Sequence, residues 1–367
     1  MVTRGSTLLL FVLLFGGLSW TVCVCVCVCV FVCVSVCLCV CVCLCVLPLG
    51  DLRIMEVRKA GRAVLMFMGL ICFIAAFTLN TLAGQGSRSG IFKQSTEDVT
   101  LKYRTPLSPA TWSLFVWDFI YVWFFFMFLY FLAGLCRRGV YEWMYTTPAV
   151  LPYGFHAMMV LNMSLNITWL FLYHQEMLLP SFIISALMSL TDYLLLFFSC
   201  QGLKVYGAWL QKHSPADLWF LRVLVQNGVA VYAAWGSIST LLCLSVYLEN
   251  RTATSKCDCA MVSLVVLLME LLVWFLLENF YLDEHVRYVL TVYPVTILWL
   301  AGSVTQSALP GNYIYDFSVV ILGTACVMFV VRLALVSWRH RTKPLYSDPF
   351  TVPSPVEIAL TQRGVFH

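Results

Sequence analysis

Charge is what this chain has least of. Lys, Arg, Asp and Glu make up 11% of its 367 residues, where an ordinary globular chain carries about 25%. With 61% hydrophobic residues, too few polar positions remain to give soluble helices their wet faces. A soluble fold is excluded. The net charge of +4 is small and dispersed, and no basic run interleaves with aromatics as a nucleic-acid groove requires. The usual signatures of chemistry are missing as well. There is no Gly-rich phosphate loop after a strand, no Ser-His-Asp arrangement with usable spacing and no HExxH. His156 and His174 have no second His or Cys at ligand spacing, and Cys257-Asp258-Cys259 is too tight for a disulfide between its own sulfurs. The sequence therefore predicts neither an enzyme nor a metal site.

Cysteine is abundant, but misleadingly so. Ten of the 17 lie between Cys23 and Cys45 in a Cys-Val alternation, which is what a repeated TG dinucleotide encodes when read TGT-GTG. Phe31, Ser35, Leu38 and Leu44 are each one base away from that pattern. Residues 1–54 are expected to be a translated low-complexity repeat or an extended gene start without selected structure, with Met55 as the functional beginning. Residues 8–18 could also pass for the apolar core of a signal peptide.

What remains is a series of apolar runs of membrane-crossing length. The stretch 108–130, SPATWSLFVWDFIYVWFFFMFLY, sets the pattern: apart from Asp118 it is almost wholly apolar and aromatic. Pro109 precedes its first turn, and Trp112 and Tyr130 fall where interfacial rings sit. Expected spans are 62–82, 111–134, 150–173, 179–200, 218–248, 260–282, 286–307 and 313–338. The fold class is thus all-α, a polytopic transmembrane bundle of about eight spans. Connections are short, and the tail 339–367, with Pro344, Pro349, Pro353 and Pro355, reads as disordered and cytosolic.

Basic residues near span ends place both termini in the cytosol. Arg58, Lys59, Arg137, Arg138, Arg339 and Arg341 then lie on the cytosolic side, and the loop 83–110 lies in the lumen. The sequon Asn250-Arg251-Thr252 falls in a lumenal loop on this topology. That favours the secretory pathway or plasma membrane over mitochondria. The partners implied are the lipid bilayer and a hydrophobic small molecule, not nucleic acid; a homodimer is left open.

Ionisable groups inside spans are expensive and mark candidate sites. Asp118, Asp192, Arg222, Glu270, Glu278 and Arg332 qualify. Depth pairs Asp192 with Arg222 and Glu278 with Arg332. Glu270, in LLMELL, has no partner at its level and is the candidate proton-coupled or ligand-contacting group. The amides Asn162, Asn166, Gln226 and Asn227 read as helix glue.

Three short patterns line up in order. The second span holds P-x-x-W-x-x-x-x-W-x-x-x-Y, from Pro109, Trp112, Trp117 and Tyr121. The third holds N-x-x-W, from Asn166 and Trp169. The fifth holds Y-x-x-W-x-x-x-S-x-x-L, from Tyr232, Trp235, Ser239 and Leu242. This resembles the tryptophan-rich sensory protein / translocator protein (TspO/MBR) family in an extended eukaryotic form, over about residues 62–250. The approach Thr105-Pro106-Leu107-Ser108-Pro109, Val231, Cys243 and Asp118 depart from the family's pattern. The resemblance implies a five-helix domain over 55–250, with three added spans over 251–338. It also implies an interior pocket for a non-covalently bound porphyrin, sterol or similar flat apolar ligand, with Trp112, Trp117, Tyr121, Asn166, Trp169, Tyr232, Trp235 and Ser239 as its ligand-binding residues. From the residues alone, an aromatic stripe at helical spacing serves packing as readily as a pocket. The function expected is a binding or sensory module. The alternatives are a secondary transporter using its intramembrane carboxylates and a structural membrane protein without ligand.

One outcome follows for the repeat: peptides from residues 1–54 are expected to be absent from mass spectra of the native protein. Their detection would show that the tract is made and retained.

Overall fold

The computed structural model describes residues 52–251, 255–306, 312–346 and 353–358, with backbone alone for 52–59. The expected repeat thus lies outside the described residues up to position 51. Eleven helices, with short 3₁₀ and π turns, make up the described chain: α1 (Leu52–Gln85), α2 (Thr96–Lys102), α3 (Val116–Cys136), α4 (Tyr153–His174), α5 (Leu178–His213), α6 (Pro215–Phe220), α7 (Gly228–Arg251), α8 (Lys256–Leu276), α9 (Asp283–Val286), α10 (Val292–Gln306) and α11 (Tyr313–Thr342). No strand occurs among them beyond one isolated bridge between Arg138 and Trp143.

Seven helical segments are long and apolar enough to cross a membrane. Their outward faces carry large apolar side chains at helical spacing: Phe67, Ile71 and Ile74 on α1, Val122, Phe125 and Phe126 on α3, Val320, Val327 and Val330 on α11, all exposed. A continuous apolar exterior of this kind has no place in water and is what a lipid-facing helix presents. The chain is a multi-pass integral membrane protein.

Helices α4 and α7 form the centre, each in a span whose apolar window is 67% buried. Helix α1 packs on α4, α4 on α5, and α5 on α7; α7 also meets α3, α8 and α10. The helix that ends in α7 begins at Pro215, a residue suited to a first turn, and makes one π turn over Leu221–Asn227 before continuing.

The seventh expected span is not a continuous helix. Helix α8 runs into a π turn, Leu277–Tyr281; α9 follows, then residues 287–291 without helix, then α10. Helix α10 has 15 residues. At 1.5 Å per residue it is about 22 Å long, shorter than the roughly 30 Å of bilayer hydrocarbon. Buried non-helical backbone must find its partners within the protein. Asn227, on the π turn, supplies them: its Nδ2 donates to the Tyr288 carbonyl at 2.8 Å, its Oδ1 accepts the Leu290 N–H at 2.9 Å, and its carbonyl accepts the Thr291 hydroxyl at 3.0 Å. Arg332 of α11 donates to the carbonyls of Val286 at 2.9 Å and Arg287 at 3.3 Å. At its far end α10 meets the approach to α3. The Ala110 N–H donates to the Gly302 carbonyl at 3.0 Å, and a Cβ on Gly302 would stand 2.8 Å from Ser113 Oγ.

The tail corrects the sequence reading. Helix α11 continues past Trp338 to Thr342, and Lys343–Tyr346 folds back on the bundle. The Arg287 guanidinium holds the Lys343 carbonyl at 2.6 Å, and Tyr346 Oη donates to the Leu203 carbonyl at 3.2 Å, over Gly207. Residues 339–346 are therefore structured, because Arg287 and the Gly207 gap supply anchors that composition does not reveal; 353–358 includes a further helical turn.

Asn227→Leu leaves the Leu290 N–H and the Tyr288 carbonyl without partners. Two such orphaned groups cost about 3 kcal/mol. The expected result is a lower melting temperature in detergent with the helical signal of the folded protein retained. A melting temperature equal to the parent's would show that water replaces the amide.

Candidate functional site

Three spans bring the sequence-selected aromatics together. Trp117 on α3 is the hub. Its ring centroid lies 6.2 Å from Tyr121, 6.5 Å from Trp169, 6.2 Å from Tyr232 and 6.1 Å from Trp235, the first two near parallel and the last two edge-on. Offset-stacked and edge-to-face arrangements are the favourable ones for aromatic pairs. At the polar centre, Asn166 Nδ2 donates to Tyr232 Oη at 2.9 Å, and its Oδ1 accepts from Tyr121 Oη at 3.5 Å. Asn166, Tyr232 and Trp235 are each 2% exposed. The indole N–H of Trp235 is buried without a hydrogen-bond partner among the described residues. Buried donors are usually satisfied; this one stands unpartnered beside an aromatic surface, as does the Trp169 indole.

Two selected residues lie apart. Trp112 is 47% exposed and donates its N–H to Thr305 Oγ1 at 3.3 Å, on the α10 side of α3. Ser239 is half-buried on α7, outside the hydrogen-bonded network. Two other residues join the site without having been selected. Asn80 on α1 donates to Asn166 Oδ1 at 3.2 Å, and Tyr173 stacks on Trp169 at 4.9 Å. A lone amide in an apolar run was the available signal for Asn80. For Tyr173 it was the i, i+4 spacing from Trp169.

Tyr173 ties the cluster to the loop above it. Its hydroxyl lies 3.0 Å from Thr100 Oγ1 on α2. Helix α2 is started by Ser95 and Asp98, which cap each other's backbone amides, a capping box. Phe92 stacks on Phe171, and Thr96 meets the His174 ring. The loop is fastened at Glu176, a non-glycine residue at φ 59°. Its carboxylate accepts from Lys102 Nζ at 2.6 Å and from Tyr103 Oη at 2.7 Å. The loop 86–110 thus forms a cover over the end of α4 next to the aromatic cluster.

The intramembrane charges sort differently from expectation. Glu278 and Arg332 do meet, at 3.4 Å and fully buried, with Tyr293 Oη donating to Glu278 Oε1 at 2.5 Å. Asp283 extends the group, held by Arg287 and Arg339 at 2.6 Å each. Asp192 and Arg222 do not meet, which corrects the pairing by depth. Helix α5 runs on past Cys200 to His213, so Asp192 sits far from the end where Arg222 lies. Asp192, fully buried, accepts from Asn162 Nδ2 at 2.8 Å and faces Gly236. Arg222 instead lies over the Tyr288 ring at 4.0 Å and the Trp219 ring at 5.0 Å, a cation–π arrangement. Asp118 is exposed on the outer side of α3. Asn250 is exposed at the last turn of α7, and its sequon partner Thr252 lies outside the described residues. Glu270 faces a cleft beside α7. A second hollow, of about 550 Å³, opens at the opposite end from the loop cover, where Arg137 and Tyr130 both bond to Asp217.

The Glu176 carboxyl is held below the usual carboxylate range, by the Lys102 ammonium first and the Tyr103 hydroxyl second. A depressed folded-state pKa stabilises at pH above the ordinary carboxylate value, and that contribution is lost as pH falls through the lowered one. Amide exchange over 96–102, corrected for its intrinsic pH dependence, is expected to accelerate in that acid window, and at neutral pH in Glu176→Gln. Equal exchange in parent and variant would mean that the cover does not depend on this contact.

No curated protein and no solved structure matches the chain significantly. The TSPO-like protein family matches residues 66–338, so the match runs past residue 250 and takes in α8, α10 and most of α11. On that match, and on the three motifs the fold brings together, the chain belongs to the TSPO-like protein family.

Proposed function

We propose that the chain is a binding or sensory module for a flat hydrophobic ligand, held at the aromatic cluster of α3, α4 and α7. The observation that carries this reading is the buried indole N–H of Trp235, unpartnered beside the Trp117 ring. A flat ligand lying along these rings would present an acceptor to that donor. Asn166 and the Tyr121 and Tyr232 hydroxyls add the few oriented polar groups that give an apolar site its selectivity. The residues suit a porphyrin or a sterol in this respect: both are flat, and both carry oxygen acceptors at an edge. Trp117, half-buried, is the ring that must move to admit such a ligand, and the cover fastened at Glu176 regulates access. This chemistry is binding, not catalysis. On the distribution of basic residues we place the cover in the lumen and both termini in the cytosol; glycosylation at Asn250 would put the chain in the secretory pathway.

The test is tryptophan fluorescence of the purified chain started at Met55, titrated with protoporphyrin and separately with a sterol. Saturable quenching is expected for at least one of the two. Trp117→Phe and Trp169→Phe should weaken it several-fold. A linear response that ignores both substitutions would mean partitioning into detergent and would leave the rings a packing role.

A further inference from the structure

Glu270 is an intramembrane charge on α8 without a partner among the described residues. Glu278 is met by Arg332, and Asp192 by Asn162. Glu270 has no hydrogen bond or ion pair among the described residues and faces a cleft of about 530 Å³ between α5, α7, α8 and α10. Ala233 and Ala234 give the cleft its depth, since small side chains on α7 leave the room. Thr296 of α10 closes the far side. The polar edge is a hydroxyl pair, Tyr193 with Ser237. Met269, 55% exposed, and Val273, 49% exposed, flank Glu270 on α8, so the mouth opens toward lipid. Glu270 lies near the middle of the span Lys256–Tyr281, away from either aqueous surface.

We infer that this cleft is a second binding site, for a membrane-dissolved hydrophobic amine. The argument is complementarity. A carboxyl at this depth is costly unless it meets an opposite charge or a donor, and none of the described residues supplies either. The wall around it is apolar, apart from the hydroxyls, and carries two aromatic faces, Tyr193 and Trp274. A carboxylate flanked by rings is the arrangement that holds an ammonium, through the ion pair and the negative ring faces together. An amine can reach it through the lipid in its neutral form. The proton then passes from the Glu270 carboxylic acid to the amine nitrogen, leaving carboxylate and ammonium in contact. No net charge enters the hydrocarbon at any stage. The aromatic cluster faces α3 and α4 and does not line this cleft, so the two sites are separate.

The experiment uses the full chain in lipid nanodiscs with radiolabelled N,N-dimethyldodecylamine, read by scintillation proximity, and with unlabelled dodecan-1-ol as the neutral competitor. Saturable binding is expected. Glu270→Gln should weaken it at least tenfold, Ala234→Phe should abolish it by filling the cleft, and the alcohol should not compete. Uptake proportional to concentration, or unchanged affinity in Glu270→Gln, overturns the site. Equal competition by the alcohol overturns the amine class. Both variants are checked for parental elution and melting. Should Ala234→Phe fail that check, a diazirine-bearing dodecylamine is cross-linked to the parent. Labels on residues 267–274 support the site, and labels spread over lipid-facing helices overturn it. Porphyrin quenching plays no part in this readout, so failure at one site is distinguishable from failure at the other.

Discussion

A buried backbone amide must find its partner within the protein, and residues 287–291 sit beside Asn227 and Arg332 without a helix of their own. The last third of the bundle depends on how those groups are satisfied. Asn227 supplies a donor and an acceptor from one side, and Arg332 bonds the carbonyls at the end of α9 from the other. Arg332 can spend its donors this way because Glu278 neutralises it within the bundle. Replacing such a pair with apolar side chains can be harmless, whereas removing one member alone strands the other. The clamp also fixes where α10 starts, and α10 closes the cleft next to Glu270. A constraint on the backbone thus shapes a candidate binding site.

Much of this was legible in the sequence. Apolar length gave the crossing helices, because a lipid-facing helix must stay apolar along its whole outer stripe. Depth alone paired Glu278 with Arg332, since each lies about as far from the same end of its span. The same reasoning misplaced Asp192 and Arg222. The segment QGLKVYGAWLQKH is polar enough to read as loop, yet it extends α5 to His213. Nor could periodicity show the break before α10, because Tyr288, Val289 and Leu290 continue the apolar run. Pro294, in the first turn of α10, cannot bond the Leu290 carbonyl and so marks a helix start there, while Asn227 and Arg332 on other segments satisfy the backbone before it. The tail failed for a related reason: its few anchors, Lys343 and Tyr346, are invisible to composition.

At the aromatic cluster the sequence named the residues and the structure supplied their relation. Trp117, Tyr121, Trp169, Tyr232 and Trp235 occupy one volume because α3, α4 and α7 turn matching faces inward. Asn80 and Tyr173 were the omissions, and each connects the cluster to something outside the three motifs: Asn80 to α1, Tyr173 to the cover. The TSPO-like family match over 66–338 extends through the later helices, so it takes in α8 to α10 and most of α11.

Helix α7 turns Tyr232 and Trp235 toward one set of neighbours and Ala233, Ala234 and Ser237 toward another. These residues are consecutive, or nearly so, on a single rigid cylinder. A small roll of that cylinder which widens one side narrows the other. With both proposed sites filled, a molecule that biased the roll would change affinity across the helix, and reciprocity would make the second molecule's effect on the first equal in size.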